Sequence, residues 1–394
     1  MLPQPAASLA PASHAIAPTT VLRGSGAWSE AIPRIQTLGH RPALLGRSQA
    51  TAGLRQRLAD DLTASGLRLS LETLNDDCCD LDLQRLELRL RACAADSLIA
   101  AGGGKVLDAG KWLADRLQLP CITVPLSAAT CAGWTALANI YSPDGAFLRD
   151  QALSRCPDLL VFDHDLVRLA PQRTLASGVA DALAKWYEAS VSSDDSQDGL
   201  IQQAVQMARV LRDQLLIDAR EAFRDPHSDA WIRVAEASAL TAGVIGGLGG
   251  AQCRTVAAHA IHNGLTQLQA CHNSLHGEKV GFGILVQLRL EEKLGSNRLA
   301  EQARRQLLPL LKDLGLPVSL ADLGLAKVGF QALRQACQFA CRQDSDLHRL
   351  PFPVSETELL EALISADALP EPCSAASASS VSVGGNGKLR RSGT

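Results

Sequence analysis

Basic residues are not in excess in this 394-residue sequence. The 38 Lys and Arg residues stand against 41 Asp and Glu residues, which gives a formal net charge of −3. Nucleic-acid-binding proteins need positive charge to neutralise the phosphate backbone, so nucleic acid is not an expected partner. With 46% hydrophobic and 20% charged residues, the composition is that of a globular protein large enough for two domains.

Three further features are missing. Residues 1–20 contain neither Lys or Arg nor a continuous apolar run, so they lack the pattern of a signal peptide. Arg, Asp or Gln interrupts the Ala- and Leu-rich stretches before they reach the about 18 apolar residues of a membrane span. The 11 cysteines, an odd number, include no Cys-x-x-Cys pair, which predicts free thiols. We therefore expect a cytoplasmic protein without a membrane partner.

Hydrophobic patterns divide the chain into two parts. Between about residues 21 and 165, short apolar runs (RPALLG, SLIAAGGG, CITVP and DLLVF) alternate with amphipathic stretches, which is typical of a parallel sheet of βαβ units. From 166 to 370, Ala, Leu and Val recur at helical spacing. We expect an α/β domain at 21–165, an all-α domain at 166–370, and disordered low-complexity segments at 1–20 and 371–394.

A glycine-rich turn joins a predicted buried strand to a helix in the segment SLIAAGGGKVLDAGKW. Gly102, Gly103 and Gly104 occupy the turn. Glycines let the backbone approach a pyrophosphate group, and the N–H groups at a helix N-terminus attract anions. A tight turn without a ligand is the alternative, because the segment lacks the G-x-G-x-x-G pattern.

The segments GGGKVLDAGK and ITVPLSAATCAGWTALANIYSPDGAF resemble the cofactor-binding half of the glycerol dehydrogenase branch of the iron-containing alcohol dehydrogenases. The resemblance runs from about residue 20 to about 370. It implies a dehydroquinate synthase-like fold, in which an NAD(P)-binding α/β domain precedes a helical metal-binding domain. It also implies that the cofactor contacts fall on Gly103, Gly104, Lys105, Asp108, Leu126, Ala129, Thr135, Leu137 and Tyr141.

Histidine and aspartate residues cluster in the segments ASGVADALAKWYEA and TVAAHAIHNGLTQLQACHNSLHGEKVGFG. A catalytic zinc or iron site combines three His or carboxylate ligands with one open position for substrate. Asp181, His259 and His276 would supply three such ligands. His259 and His262 lie three residues apart on one helix face, and only one of them need be a ligand.

The resemblance assigns these roles. The pattern D-A-L-A-x-W-x-E, H-A-x-H-N-G and H-G-x-K is similar to that of glycerol dehydrogenases, which implies that Asp181, His259 and His276 hold one divalent metal ion, zinc or iron. It leaves His262 to relay a proton near the nicotinamide, with helix packing as the alternative. The metal would act as a Lewis acid on the substrate oxygen while hydride passes to the nicotinamide.

The chain departs from the glycerol dehydrogenase pattern at Cys131. There the family's S-T-D-A-P segment carries an aspartate that contacts substrate hydroxyls, whereas a thiol accepts hydrogen bonds poorly and removes a negative charge. Trp134 is expected to add bulk nearby. The T-C-A-x-W form is more similar to the hydroxycarboxylate dehydrogenases, so we expect a small hydroxy acid and its 2-oxo acid as substrates, with glycerol or another polyol as the alternative. His348 and Arg349 are candidate carboxylate partners, unless their loop is merely solvated.

Cofactor choice is predicted from the end of the strand RPALLG. Dinucleotide-binding folds usually place an acidic residue there to bind the ribose 2′-hydroxyl, but this chain has Gly46 and Arg47. Because a guanidinium group can bind a 2′-phosphate, NADP(H) is expected to be preferred or at least tolerated. If Arg47 points into solvent, NAD is the expected cofactor.

Two other functions share these features. A lyase of the dehydroquinate synthase type usually has a glutamate ligand and a basic cluster, and Asp181 and the scarcity of Lys argue against it. A non-catalytic scaffold would be expected to have lost a ligand, and none is missing. We expect a small-molecule alcohol or 2-oxo acid as substrate and assembly into a homo-oligomer.

Overall fold

The structure is a computed structural model that describes residues 14–193 and 195–368. Within these ranges the strands are β1 (Thr20–Gly24), β2 (Pro42–Gly46), β3 (Ser70–Thr73), β4 (Ser97–Gly102), β5 (Cys121–Pro125), β6 (Leu137–Tyr141), β7 (Phe147–Ala152) and β8 (Leu159–Asp163). The predicted tail at 371–394 lies outside the described residues.

The helices connect and follow these strands. They are α1 (Ala27–Leu38), α2 (Ala52–Ala64), α3 (Asp80–Ala92), α4 (Gly104–Leu117), α5 (His164–Arg168), α6 (Gln172–Ser192), α7 (Gly199–Arg224), α8 (Asp229–Glu236), α9 (Ala242–Gly249), α10 (Ala257–Leu265), α11 (His276–Lys293), α12 (Arg298–Asp313), α13 (Phe330–Ala340) and α14 (Glu356–Ile364).

Six strands form one parallel sheet in the described chain, in the order β1-β8-β5-β4-β2-β3. Every residue of β2, β4, β5 and β8 is buried, because helices cover both faces of the sheet. Leu45 and Leu98 face a core that includes Leu86 of α3, while Leu44 and Ile99 face the opposite core. The predicted α/β arrangement of βαβ units is confirmed.

Helices dominate the chain after β8, as predicted. A large apolar core joins α6, α7, α10 and α11 with the helices that follow. The antiparallel hairpin of β6 and β7, which the alternation of the sequence did not predict, packs in the core of the sheet that includes Leu86. The N–H group of Phe147 at its turn donates to Thr266 Oγ1 at 2.9 Å, directly after α10. The hairpin therefore links the sheet region to the helical region.

The predicted N-terminal extension differs in part from the structure. Residues 1–13 lie outside the described chain, but residues 14–20 contact the protein. Thr19 donates its N–H to the Pro157 carbonyl at 3.0 Å, and Thr20 begins β1. The Ile16 carbonyl accepts a hydrogen bond from Trp134 Nε1 at 3.0 Å. A composition rich in Ala and Pro did not reveal these contacts, because they depend on partners more than 100 residues away.

One continuous helical stretch, Asp229–Cys253, is long and apolar enough to cross a membrane by length and composition alone. The sequence was predicted to contain no such stretch. Its most apolar window has a mean hydropathy of 1.2, and 61% of that window is buried within the protein. Alanine and branched aliphatic residues raise the hydropathy here, and the glycines let the stretch pack against α7 and α6 in the core. Core packing accounts for its composition.

Candidate active site

A single large cleft lies where the carboxyl ends of β4 and β5 meet α6, α10 and α11 in the described chain. Its volume is about 750 Å³, within the range of cofactor and small-molecule sites. The residues predicted from the sequence that line it are Arg47, Gly103, Gly104, Lys105, Asp108, Ala129, Cys131, Thr135, Leu137, Tyr141, Asp181, His259, His262 and His276.

Leu126, which was predicted to lie along the nicotinamide, does not line this cleft. Its side chain is only 5% exposed and packs with Ile122 and Val124 in the core beneath the sheet. Its N–H group donates to the Gly102 carbonyl at 3.0 Å, which joins the ends of β4 and β5. Leu126 therefore fixes the floor of the cleft from behind rather than forming its surface.

Three helices bring Asp181, His259 and His276 together. Asp181 Oδ1 lies 3.3 Å from His259 Nε2 and 3.5 Å from His276 Nε2, and the three ligand atoms lie within 4.8 Å of one another. Asp181 Oδ1 is buried and makes no hydrogen bond within the described residues. Two imidazole nitrogens and an unsatisfied carboxylate oxygen at this spacing fit a divalent zinc or iron ion.

Two glycines permit the close approach of backbone that this cluster requires. A Cβ atom at Gly277 would lie 1.8 Å from the Ser177 carbonyl oxygen, and one at Gly178 would lie 1.8 Å from that of Ala128. Any side chain at Gly277 would push the start of α11, and with it His276, away from α6. These two glycines therefore let α6 pack closely against α11 and against the segment that follows β5.

The charge of Asp181 is set by its surroundings. Burial opposes its ionisation. The positive charge of Lys185 and the proximity of His259 and His276 nevertheless lower the pKa of Asp181 well below its ordinary value. Lys185 Nζ lies 3.5 Å from Asp181 Oδ1, one turn further along α6. Burial lowers the pKa of His276. Asp181 is thus anionic and His276 neutral at neutral pH, the states that metal ligands need.

Glu188, which the sequence analysis did not single out, orients His259. Its Oε2 atom accepts a hydrogen bond from His259 Nδ1 at 2.6 Å, and Oε1 accepts from the N–H groups of Val256 and His259 at 2.7 and 2.9 Å. This contact turns His259 Nε2 toward Asp181. Burial opposes protonation, but Glu188 raises the pKa of His259 to about 9, so a bound metal ion would have to displace a proton from this ring. A signal was present, because Glu188 stands two turns after Asp181 on one helix face.

Glu188→Gln is expected to weaken metal binding by about 10- to 100-fold, because a neutral amide supports the imidazole ligand less well. Competition for Zn²⁺ with a chromogenic chelator measures this affinity. Glu291→Gln is the matched control: Glu291 is also a buried carboxylate, but it contacts Gln287 and Asn297 instead. An unchanged affinity in Glu188→Gln would contradict the assignment.

His262 lies one turn after His259 on α10 and beside the triad. Its ring centroid is 4.2 Å from that of His276, and its Nδ1 lies 2.9 Å from Asn263 Oδ1. Burial and the neighbouring His276 lower the pKa of His262 well below its ordinary value, so the ring is neutral. Because an amide oxygen only accepts, Nδ1 donates to it and Nε2 is left as a proton acceptor.

The glycine turn opens onto the cleft at the N-terminus of α4. A Cβ atom at Gly103 would have no neighbour within 4 Å, and one at Gly104 would lie 3.3 Å from Thr130 Oγ1. No side chain among the described residues donates or accepts a capping hydrogen bond at the start of this helix. The first N–H groups of α4 and the backbone around them are therefore available to an anion, as a cofactor pyrophosphate would require.

Lys105 and Tyr141 form the wall next to this turn. Lys105 pairs with Asp77, a buried residue that the sequence analysis did not identify. Its ammonium group lies 5.3 Å from the centroid of the Tyr141 ring. Lys105 thus lies between an acidic side chain and an aromatic face, within reach of a phosphate bound at the turn.

The carboxylate of Asp108 lines the cleft, but both of its oxygens already have partners within the protein. It pairs with buried Lys111 at 3.0 Å and accepts from the Asn139 N–H at 3.2 Å. Lys111 donates to the Thr135 carbonyl at 3.0 Å and also to that of Leu137. These contacts tie the start of β6 to α4 and fix the wall that Thr135 and Leu137 form.

Arg47 follows β2 directly and lines the cleft. Ser48 and Thr51 line it as well. Arg55 Nη1 donates to the Ser48 carbonyl at 2.7 Å and to Thr51 Oγ1 at 2.6 Å, which holds this loop. The described hydrogen bonds and ion pairs include none for the Arg47 guanidinium, so that group is available to a ligand.

Cys131 and Trp134 take different positions. Cys131 lines the cleft, and burial raises the pKa of its thiol, which is therefore neutral. Trp134 does not line it. The Trp134 side chain packs over Gly243, where a Cβ atom would lie 2.5 Å away, and its indole bonds to Ile16. The predicted bulk of Trp134 is thus directed away from the substrate side of the cleft.

The two predicted carboxylate partners do not face the cleft either. His348 Nε2 bonds to the Arg342 carbonyl at 3.0 Å, and Arg349 Nη1 donates to the Thr255 carbonyl at 2.7 Å. Both side chains are used in fixing their own loop. Of the arginines in this region, Arg254 and Arg342 line the cleft instead. The sequence offered no basis for choosing Arg254, which lies in a glycine-rich segment.

Comparison with known families matches residues 18–164 to the iron-containing alcohol dehydrogenases. A Synechocystis protein described as an uncharacterized oxidoreductase is 51% identical over 354 residues, which are 90% of this chain and 91% of that protein. Glycerol dehydrogenase from Thermotoga maritima is 33% identical over 76% of this chain and 82% of its own. Hydroxycarboxylate dehydrogenase A from Escherichia coli is 33% identical over 72% of this chain and 77% of its own.

Solved structures agree with these relatives. A probable glycerol dehydrogenase from Sinorhizobium meliloti superposes with a TM-score of 0.79 at 28% identity, covering 90% of this chain and 98% of that chain. The predicted resemblance and fold class are both confirmed by these matches, which extend over the sheet and the helical region alike.

Proposed function

The chain belongs to the iron-containing alcohol dehydrogenase family, and we propose that within it the protein is an NAD(P)-linked dehydrogenase that interconverts a small 2-hydroxy acid and its 2-oxo acid. The observation that carries this proposal is the neutral Cys131 thiol in the cleft with the triad, at the position where the resemblance places a substrate-binding aspartate. Without that negative charge, the cleft suits a carboxylate substrate better than a polyol.

Asp181, His259 and His276 would hold the metal ion. When bound, it supplies positive charge that stabilises negative charge on the substrate oxygen. Glu188 holds the His259 ring in place, and Lys185 keeps Asp181 ionised. Because these groups are buried and already oriented, little reorganisation is needed when charge develops on the substrate.

His262 is the proposed proton relay. Its neutral ring lies beside His276, and Nε2 is free to accept a proton from a hydroxyl group or to return it. The glycine turn and Lys105 would bind the cofactor pyrophosphate, and the wall of Ala129, Thr135 and Leu137 would orient the nicotinamide, which accepts or donates the hydride.

A polyol dehydrogenase is the second candidate. It is supported by the relatives named glycerol dehydrogenase, which match most of this chain. The lyase and scaffold alternatives receive no support from these relatives. A cytoplasmic location and a homo-oligomeric assembly stay predictions.

A substrate panel tests the proposal. Metal-loaded protein should reduce 2-oxobutyrate or 2-oxoglutarate with a higher kcat/KM than it shows for the oxidation of glycerol or 1,2-propanediol. To avoid comparing opposite directions, 2-hydroxybutyrate and glycerol are also compared as alcohols at one pH. Preference for glycerol in that comparison would contradict the proposed substrate class and favour the second candidate.

Arg47→Asp is expected to weaken NADPH binding by about 10- to 100-fold and NADH binding much less, because the guanidinium would lose its charge-assisted hydrogen bonds to the 2′-phosphate. Fluorescence titration of each reduced cofactor measures the ratio. Arg57→Asp, a charge change on the neighbouring helix α2 outside the cleft lining, is the control. If the wild type binds NADH at least about tenfold tighter than NADPH, Arg47 does not select the cofactor.

A further inference from the structure

Arg254 is the least satisfied cation near the substrate end of the cleft. Its Nε atom is buried without a hydrogen-bond partner in the described chain. The hydrogen bonds and ion pairs within residues 14–193 and 195–368 include none for the rest of its guanidinium group either. Four other cations of the cleft have acidic partners: Lys105 pairs with Asp77, Lys185 with Asp181, Arg149 with Asp80, and Arg342 with Asp344.

Packing against Gly246 and the fixed position of Thr255 hold the Arg254 side chain in place. A Cβ atom at Gly246 would lie 2.8 Å from both Cγ and Cδ of Arg254, so the absence of a side chain there makes room for the arginine stem. The next residue, Thr255, is fixed by Arg349, which donates to its carbonyl and hydroxyl oxygens at 2.7 and 3.0 Å. Burying an unpaired charge is unfavourable unless a ligand compensates for it.

Arg254 lines the same cleft as the triad and is surrounded by further ionisable groups. Burial lowers its pKa, and the thiol of Cys131 and the carboxylates of Asp150 and Asp346 lie close enough to act on it electrostatically. Neither carboxylate forms an ion pair with it within 4.0 Å. Cys131 in turn responds to the charges of Lys185 and Asp181 as well as to that of Arg254. Cys131, Arg254 and the triad residues all line the same cleft.

We propose that Arg254 binds the carboxylate of the substrate and selects 2-oxo acids over neutral carbonyl compounds, an inference that rests on the proposed function. In a 2-oxo acid, the carbonyl and carboxylate groups are on adjacent carbons. With the carbonyl oxygen at the triad, the carboxylate would face the part of the cleft that Cys131 and Arg254 line. The planar guanidinium can donate two parallel hydrogen bonds to a carboxylate, whereas a polyol would leave its charge uncompensated.

The test uses two substrates that differ only in the group that Arg254 would bind. They are 2-oxobutyrate and 1-hydroxy-2-butanone, which has a hydroxymethyl group in place of the carboxylate. Arg254→Gln is expected to lower kcat/KM for 2-oxobutyrate by about 10- to 100-fold and that for 1-hydroxy-2-butanone by less than about threefold. Arg254→Lys keeps the charge without the fork, so it should fall between wild type and Arg254→Gln.

Arg342→Gln is the matched control, because Arg342 also lines the cleft but already has Asp344 as its partner. Arg342→Gln should change kcat/KM for the two substrates by the same factor. Metal content and NAD(P)H binding of each variant establish that the site is intact, and Arg254→Lys carries the test if Arg254→Gln does not fold.

Three results would overturn the proposal, and they separate it from the proposed function. If wild type does not prefer 2-oxobutyrate to 1-hydroxy-2-butanone, the 2-oxo acid assignment fails and the role of Arg254 fails with it. If wild type has the preference and Arg254→Gln keeps it, only the role of Arg254 fails. If kcat/KM falls by the same factor for both substrates in Arg254→Gln and in Arg254→Lys, the arginine has a structural role alone.

Discussion

Alanine at His259 or His276 is expected to lower kcat by at least about 10³-fold, because either change removes one of three side chains that would hold the metal and the positive charge that comes with it. The effect on stability should be small by comparison, because the two histidines lie at the cleft rather than in the apolar core. NAD(P)H binding should survive, since the glycine turn is formed by β4 and α4.

Three measurements on the same preparations separate these effects: metal content, cofactor affinity and kcat. His272→Ala is the matched control. His272 also lies beside the cleft, between α10 and α11, but its Nε2 bonds to the Thr266 carbonyl at 3.1 Å and it does not belong to the triad. A His259 or His276 variant that retains its metal and the wild-type kcat would remove that histidine from the proposed site.

Cys131→Asp is expected to shift the preference between 2-oxo acid and glycerol by about 100-fold toward glycerol. Two carboxylates about 5 Å apart at an effective dielectric constant of about 20 repel each other by about 3 kcal/mol, which corresponds to about that factor. The new carboxylate would also accept hydrogen bonds from polyol hydroxyls. The net effect is thus a loss for 2-oxobutyrate and a gain for glycerol.

The ratio of the two kcat/KM values measures this shift. Cys131→Asn is the matched control, because it has nearly the shape of Cys131→Asp but no charge. It should change the ratio much less. An equal change in both variants would assign the effect to shape, and no change in either would mean that Cys131 does not face the substrate.

The parts of this fold that the sequence predicted depend on local patterns. Buried strands such as β4 and β5 read as short apolar runs because helices cover both faces of the sheet. The Gly102–Gly104 turn was visible because three glycines followed such a run directly. The grouping of Asp181, His259 and His276 needed the family resemblance, because these residues are up to 95 positions apart along the chain.

The parts that could not be predicted depend on contacts between distant segments. Leu126 was expected at the nicotinamide, but its side chain points to the core on the opposite side of its strand end. Trp134 was expected at the substrate, but its partners are Ile16 and Gly243. The burial of Arg254 Nε without an acceptor is likewise a property of the packed structure and cannot be predicted from the local sequence.

Glu188 shows the intermediate case. Its spacing from Asp181 places both residues on one face of α6, so a sequence reading could have paired them. What the spacing could not show is that α10 passes close enough for Glu188 to bind the backbone of Val256 and both the backbone and ring of His259. A buried carboxylate that accepts hydrogen bonds from three donors holds His259 in place. Its loss is therefore expected to weaken metal binding.

Under the proposed function, one metal ion at the triad is required for the reduction of a 2-oxo acid. Its most direct test is titration of chelator-treated protein with Zn²⁺ or Fe²⁺ while NAD(P)H oxidation by 2-oxobutyrate is followed. We expect activity to be absent before metal is added and to reach its maximum at one equivalent per chain. Full activity without metal, or no 2-oxobutyrate reduction by protein that holds one equivalent, would contradict it.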